Sequence, residues 1–236
     1  MGIACGASRA PRSGTRGVSV DPFADFHLET RIAERAGIAG FRIETDAIEV
    51  IARHARAVLE RNKELQLTTV TEPEEFLERH IGESLEGAAL VDFRARGRLL
   101  DLGSGNGYPA IPLVATHRGL EAVCVEASAG KAAFLNEVFA ASSGMGQVWN
   151  KQVQRPNDFE DMISIRVLSS RAMGNWERIF PRMARMLAPD GIAMLWAGET
   201  VGEIAARDSW RRLNLVARHA LPRRQRSWIW CFRAVR

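Results

Sequence analysis

The stretch LLDLGSGNGYPAIP, Leu99 to Pro112, decides how the chain folds. A short apolar run ends in an acid, Asp101; glycines follow at alternate positions, Gly103, Gly105 and Gly107; a helical pattern begins behind them. Glycines so spaced let the backbone take left-handed conformations and pass close to a ligand, so the turn is a candidate cradle for something polar or anionic. A dinucleotide fingerprint, G-x-G-x-x-G, would need glycine where Tyr108 stands, and no Gly-Lys-Ser/Thr follows to make a P-loop. Three glycines alone also suit a bare strand-to-helix turn, and only their surroundings separate the two readings.

Working outward, RLLDL (98–102), EAVCVE (121–126), QVWN (147–150), RVLSS (166–170) and GIAMLWA (191–197) read as buried strands. Helical patterns near 109–118, 128–142, 175–188 and 200–213 separate them. The final LNLVARHALP and SWIWCFRAV read as a closing antiparallel hairpin. Alternating strands and helices predict an α/β fold with a doubly wound, seven-stranded, mostly parallel sheet. Upstream, 21–37, 45–62 with Thr45 as N-cap, and 72–86 with Pro73 in a first turn read as three helices. The expected organisation is a tail over 1–20, a helical extension over 21–90 and a ligand-binding domain over 91–236.

A chain of 236 residues, 46% hydrophobic and 25% charged, has ordinary globular composition. It contains no apolar run near the roughly 20 residues that span a bilayer. Residues 1–20 hold three arginines, no acid and many small residues, too little apolar surface to fold alone. Cys5, Cys124 and Cys231 are isolated, with neither disulfide nor zinc spacing, so no metal is expected and a reducing cytoplasm fits best. The net charge is +4, and Lys63, Lys131 and Lys151 are the only lysines among 32 basic residues. Arginine's planar fork suits phosphate and base edges, which favours a nucleic-acid partner, although a GC-rich genome gives the same bias.

The second strand ends in Glu126, 25 residues after Asp101, where a carboxylate can accept hydrogen bonds from both hydroxyls of a ribose. Strand, glycine loop, helix and second-strand acid together favour a ligand site over a bare turn. The segment DLGSGNG (101–107) resembles motif I of class I S-adenosylmethionine-dependent methyltransferases. More closely, the chain resembles the small-subunit ribosomal RNA methyltransferase G family, also called glucose-inhibited division protein B. The stretches that carry the likeness are NKELQLTTVTEPEEFLERHIGESL (62–85), LLDLGSGNGYPAIPL (99–113), VEASAGKAAFLNEV (125–138) and SSRAM (169–173).

That resemblance implies methylation of a guanine N7 in 16S ribosomal RNA with S-adenosylmethionine as cofactor. It implies Asp101, Gly103, Ser104, Gly105, Gly107, Tyr108, Glu126 and Ser128 around the cofactor. Arg171 would face the reacting methyl group, and His80, Ser84 and Arg155 would lie towards the substrate. The implied partner is 16S ribosomal RNA or the small subunit, with no DNA, no membrane, a monomeric protein and a cytoplasmic location. The chain departs from the family where Glu83 replaces aspartate, Asn157 a glutamate, Arg166 an acid, and Ala197 a lysine before Gly198.

Other readings of single features stay open. Arg171 also suits an ion pair with a nearby acid. Nine arginines and three tryptophans over 207–236 suit an RNA-docking surface, yet the alternation Trp228-Ile229-Trp230 suits a core-facing strand. His27, His54, His117 and His219 read as surface or packing residues, and Met183 and Met186 as core. The same fold would also serve a methyltransferase for a small molecule or protein, or a noncatalytic RNA-binding assembly factor.

Overall fold

The structure, a computed structural model, describes residues 21–142, 144–153, 164–171, 173–222 and 224–235. The expected tail over 1–20 lies outside them, as do Cys5 and Asn157. Seven strands form one sheet: β1 (Gly97–Leu102), β2 (Leu120–Glu126), β3 (Gly146–Asn150), β4 (Ile165–Arg171), β5 (Leu187–Gly198), β6 (Leu213–Ala220) and β7 (Ser227–Ala234). Their spatial order is β3-β2-β1-β4-β5-β7-β6, and only the pairs β5–β7 and β6–β7 are antiparallel. The strand order reverses beside β1, which opens a crevice at the carboxyl ends of β1 and β4.

Successive side chains of a strand point to opposite faces, and the apolar runs fill both. Leu99, Cys124, Val167 and Ile229 join one core, whereas Leu100, Val125, Leu168 and Trp230 join a second. The first core is covered by α5 (Ala110–Thr116) and α6 (Ala129–Ala141), over which lie α1 (Leu28–Ile38), α2 (Thr45–Leu65) and a helix of mixed type. The second is covered by α7 (Trp176–Met183) and the short α8 (Val201–Ala205). Met183 and Met186 are buried there, as expected. Trp230 and Ile229 are buried while Trp228 is half-buried, so the alternating hairpin strand is mostly core.

Several boundaries differ from the sequence expectation. Thr45 is the first helical residue of α2, and Glu44, in extended conformation, holds the N-cap position. The helix expected over 72–86 begins as α3 (Pro73–Phe76), widens into a π-helix (Leu77–Gly82) and resumes as α4 (Glu83–Ala89). The helix near 175–188 stops at Met183 because β5 begins at Leu187, running through Pro189 and Gly191. Of the pattern over 200–213 only Val201–Ala205 is α-helical, followed by one 3-10 turn at Asp208–Trp210. Among the described residues, no helix is long and apolar enough to cross a membrane.

The mixed helix is pinned to the sheet where β5 ends. A Cβ on Gly87 would stand 2.3 Å from Trp196 Cζ2, so only glycine lets the indole lie against α4. The indole Nε1 then donates to the Glu83 carbonyl at 3.1 Å. Buried Arg35 of α1 reaches Glu78 at 3.5 Å and Glu86 at 3.6 Å, and His219 of β6 meets Glu86 at 2.9 Å. Helix α1, the mixed helix and the hairpin are thus joined by one charged cluster.

Candidate active site

At the carboxyl ends of β1, β2 and β4 a cleft of about 920 Å³ opens between the glycine loop and the segment leading from α2 into the mixed helix. That volume lies within the range of ligand sites. The loop is hung from the neighbouring strand, because Gly103 N and Ser104 N both donate to the Val125 carbonyl, at 2.9 and 3.1 Å. Gly105 has φ +55°, and the nearest atom to a Cβ there would be Gly103 O at 3.9 Å, so the residue fronts open cleft. Glu126 closes the arrangement. One carboxylate oxygen accepts from Gly105 N at 2.8 Å and the other from Ser128 N at 2.7 Å. Each carboxylate oxygen has two lone pairs, so each keeps an acceptor site for a ligand.

The opposite wall comes from residues before the sheet. Arg171, at the tip of β4, donates through Nη1 to the Arg79 carbonyl at 2.9 Å and through Nη2 to His80 Nδ1 at 2.6 Å. An arginine only donates, so His80 Nδ1 accepts and its Nε2 carries the hydrogen, which it gives to Thr68 Oγ1 at 2.7 Å. Burial first, then the nearby Arg171 charge, pushes the His80 pKa down to about 2. The neutral ring stacks on Tyr108, with centroids 5.1 Å apart. Glu83 lies 3.7 Å from Arg171 Nη1 and 3.2 Å from Arg224 Nε. Burial raises its carboxyl pKa against the pull of Arg171, Arg224 and Arg79. Arg171 therefore has the acidic partner that one reading expected and also lines the cleft.

Of the candidate residues, Gly103, Ser104, Gly105, Tyr108, Glu126, His80 and Arg171 line the cleft together. Asp101, Gly107, Ser128 and Ser84 do not, and Arg155 lies outside the described residues. Ser84 is buried and gives its hydroxyl to the His80 carbonyl at 2.6 Å. Asp101 sits beneath the loop, accepting from Ser169 Oγ at 2.6 Å, and burial raises its pKa to about 6. Ser128 N is spent on Glu126, and a Cβ on Gly107 would meet Ile111 Cδ1 at 2.5 Å rather than ligand space. Asn62, Thr68, Asn106, Lys151 and Met173 also line the cleft and were missed. Met173 carried a usable signal, since it follows the tip of a parallel strand, where ligands bind.

His54, expected as a surface or packing residue, is buried behind the loop and donates to the Asn106 carbonyl at 2.7 Å. Its burial lowers the pKa to about 4. Between pH 6.5 and 4 the unfolded chain binds a proton there that the folded chain refuses, so this stability is complete above pH 6.5 and falls on acidification. His80 acts in the same direction, whereas Asp101, raised to about 6, acts oppositely between pH 6 and its ordinary 3.8. Unfolding free energy is expected to fall from pH 7 to pH 5. In urea titrations His54→Gln should shrink that fall by about 2 kcal/mol; an unchanged difference would show that His54 is not buried neutral.

An open parallel sheet with a glycine loop after β1, an acid at the tip of β2 and an antiparallel last strand defines the class I methyltransferase fold. Solved structures agree in fold: the fibrillarin/Nop5p complex covers 61% of this chain and 75% of that chain (TM-score 0.52, 14% identity). The mitomycin 7-O-methyltransferase MmcR covers 92% of this chain and 74% of that one (TM-score 0.52, 15% identity). Residues 47–218 match the family described as GidB, rRNA small subunit methyltransferase G, and the chain belongs to that family. Relatives carrying the name ribosomal RNA small subunit methyltransferase G include one from Anaeromyxobacter sp. (strain Fw109-5), 33% identical over 76% of this chain and 85% of its own. Another, from Myxococcus xanthus (strain DK1622), is 31% identical over 82% and 89%.

The chain is accordingly an S-adenosylmethionine-dependent methyltransferase. Its cleft fits that cofactor: Glu126 has spare acceptor sites, Gly105 fronts open space, and the buried Tyr108 hydroxyl has no hydrogen-bond partner among the described residues. Where the resemblance has a lysine, Ala197 packs half-buried at the end of β5 opposite Trp228. Arg166, in place of an acid, pairs with Asp190.

Proposed function

We propose that this chain methylates N7 of a guanine in 16S ribosomal RNA, with Glu126 and the loop Gly103–Gly105 holding the cofactor and Arg171 orienting the base. The observation that carries this is the Arg171 guanidinium, fixed on one side by the Arg79 carbonyl and His80 and placed in the wall of the cofactor cleft. Bound there, S-adenosylmethionine supplies an electrophilic methyl group. Guanine N7 already carries a lone pair, so the transfer forms an N–C bond, breaks an S–C bond and releases no proton. The cleft accordingly has no need of a general base, and rate comes from alignment and exclusion of water.

Arg171 has five N–H donors and spends two, which leaves a fork for guanine O6. His80 and the Arg79 carbonyl prevent that fork from turning. Buried Glu83 balances the arginine's charge, so the wall offers directed donors without an uncompensated cation beside a site where positive charge moves onto the base. An RNA substrate accords with a protein that acts in the cytoplasm as a monomer.

The test is transfer of labelled methyl from S-adenosylmethionine to small ribosomal subunits from a strain lacking its own enzyme of this type, followed by mapping of the modified base. Label on a guanine N7 is expected. Bound cofactor without label on ribosomal RNA would sink the assignment and turn the search to other acceptors.

A further inference from the structure

The amino ends of the strands, at the opposite edge of the sheet from the cleft, carry arginines on neighbouring strands. Arg94 and Arg96 precede β1, Arg98 lies within it, Arg166 is near the start of β4, Arg233 is near the end of antiparallel β7, and Arg212 precedes β6. Strand order puts β1, β4, β5, β7 and β6 side by side. At about 4.8 Å per strand the arginines span roughly 19 Å along the edge. A second pocket of about 340 Å³ opens in this row, walled by Arg94, Arg96, Arg166 and Arg233 with Asp92 and Asp190.

Most of these arginines have no hydrogen-bonded or salt-bridged carboxylate among the described residues. Elsewhere Arg31, Arg56, Arg61 and Arg118 are tied to carboxylates of neighbouring elements. At this edge, among the described residues, Arg166 is paired with Asp190, which also feels the charge of Arg233. The side chains of Arg94, Arg96, Arg98, Arg212 and Arg233 are exposed; of these, Arg233 lies close enough to Asp190 for its charge to act on that carboxylate, and the other four have no side-chain hydrogen bond or ion pair among the described residues. The acids facing them are Asp92, Asp190 and, beside Arg98 on β2, Glu121, so the edge keeps a positive excess. Guanidinium forks without acidic partners suit phosphate oxygens.

We propose that this arginine edge is a second docking site for the RNA backbone, separate from the catalytic cleft. The proposal rests on RNA being the substrate. Strand β1 has six residues, so the edge lies about 17–20 Å from the glycine loop. A small acceptor molecule cannot occupy both places, whereas a folded RNA is long enough to touch the edge while one base enters the cleft. The edge anchors and orients the RNA, and the cleft carries out transfer.

The experiment compares wild type, a triple variant Arg94→Gln, Arg96→Gln, Arg233→Gln, and a charge-matched control Arg31→Gln, Arg42→Gln, Arg53→Gln on the helical layer. Binding to small ribosomal subunits is titrated between 50 and 200 mM salt, beside methyl-transfer kinetics, cofactor affinity and melting temperature. For the edge variant the salt slope is expected to shrink by roughly 2 and affinity to fall about tenfold or more. KM for the subunit should rise, while kcat at saturating subunit and cofactor affinity hold. An edge variant that matches wild type, or a control that loses as much as the edge variant, would overturn the docking site. Wild type that transfers no methyl to the subunit would overturn the substrate reading and the docking site with it.

Discussion

Replacing Arg171 by alanine is expected to slow methyl transfer about 100-fold at saturating substrates while leaving cofactor affinity within about threefold. The side chain touches the Arg79 carbonyl, His80 and Glu83, and none of the glycine loop's hydrogen bonds depends on it. Its loss removes the fork that fixes the base and leaves the fixed His80 acceptor without a donor. Arg171→Lys should rescue little, because one ammonium cannot hold both partners and still present a planar fork. Buried Glu83 would lose one of the arginines that balance its charge, so the alanine variant should also melt earlier, and rates belong well below its transition. A variant that loses cofactor affinity and keeps its rate at saturation would show that Arg171 does not face the reacting atoms.

Glu126→Ala should do the reverse. Two backbone amides, Gly105 N and Ser128 N, lose their acceptor at once, and a ligand's hydroxyls lose a charged one. Hydrogen bonds to charged groups contribute about 1.5–3 kcal/mol, so cofactor binding should weaken about 10- to 150-fold, with the rate at saturation little changed. Glu126→Gln keeps one acceptor oxygen but turns an N–H towards a position now facing an amide, and is expected to fall between. Isothermal titration with S-adenosylmethionine checks both; wild-type affinity in the alanine variant would remove Glu126 from the cofactor site.

These two residues were legible in the sequence because both sit at strand tips, and a strand tip can be located from an apolar run and the turn after it. The loop between Asp101 and Gly107 was legible for the same reason. The other wall was not. Thr68 lies in a polar stretch without periodicity and Asn62 near the end of α2, and what makes them cleft residues is the docking of α2 onto α5, a contact between distant parts of the chain. The π-turn at Leu77–Gly82 left no trace either, since its side chains keep a helical pattern while the backbone widens. That turn aims His80 at Arg171 and puts the Ser84 hydroxyl on the helix's own backbone. Spacing within a motif told which residues lie near one another, but not which of them face inward. Asp101 and Ser128 show this: both belong to the stretches that carry the likeness, yet Asp101 Oδ1 is hydrogen-bonded to Ser169 and the Ser128 amide to Glu126, and neither residue lines the cleft.

The cleft's two walls have an implication for the order in which the molecule is made. Helices α1 to α4 leave the ribosome before any strand, yet Ile51, Ala55, Leu77, Ile81 and Leu85 belong to the same core as Leu113 and Leu99, which come later. Their burial therefore waits for β1 and α5, and the cleft waits longer, until β4 delivers Arg171 to a wall already synthesised some 90 residues earlier. During synthesis the amino-terminal third is a half-finished surface, and the site becomes whole only when the fourth strand slots in beside the first.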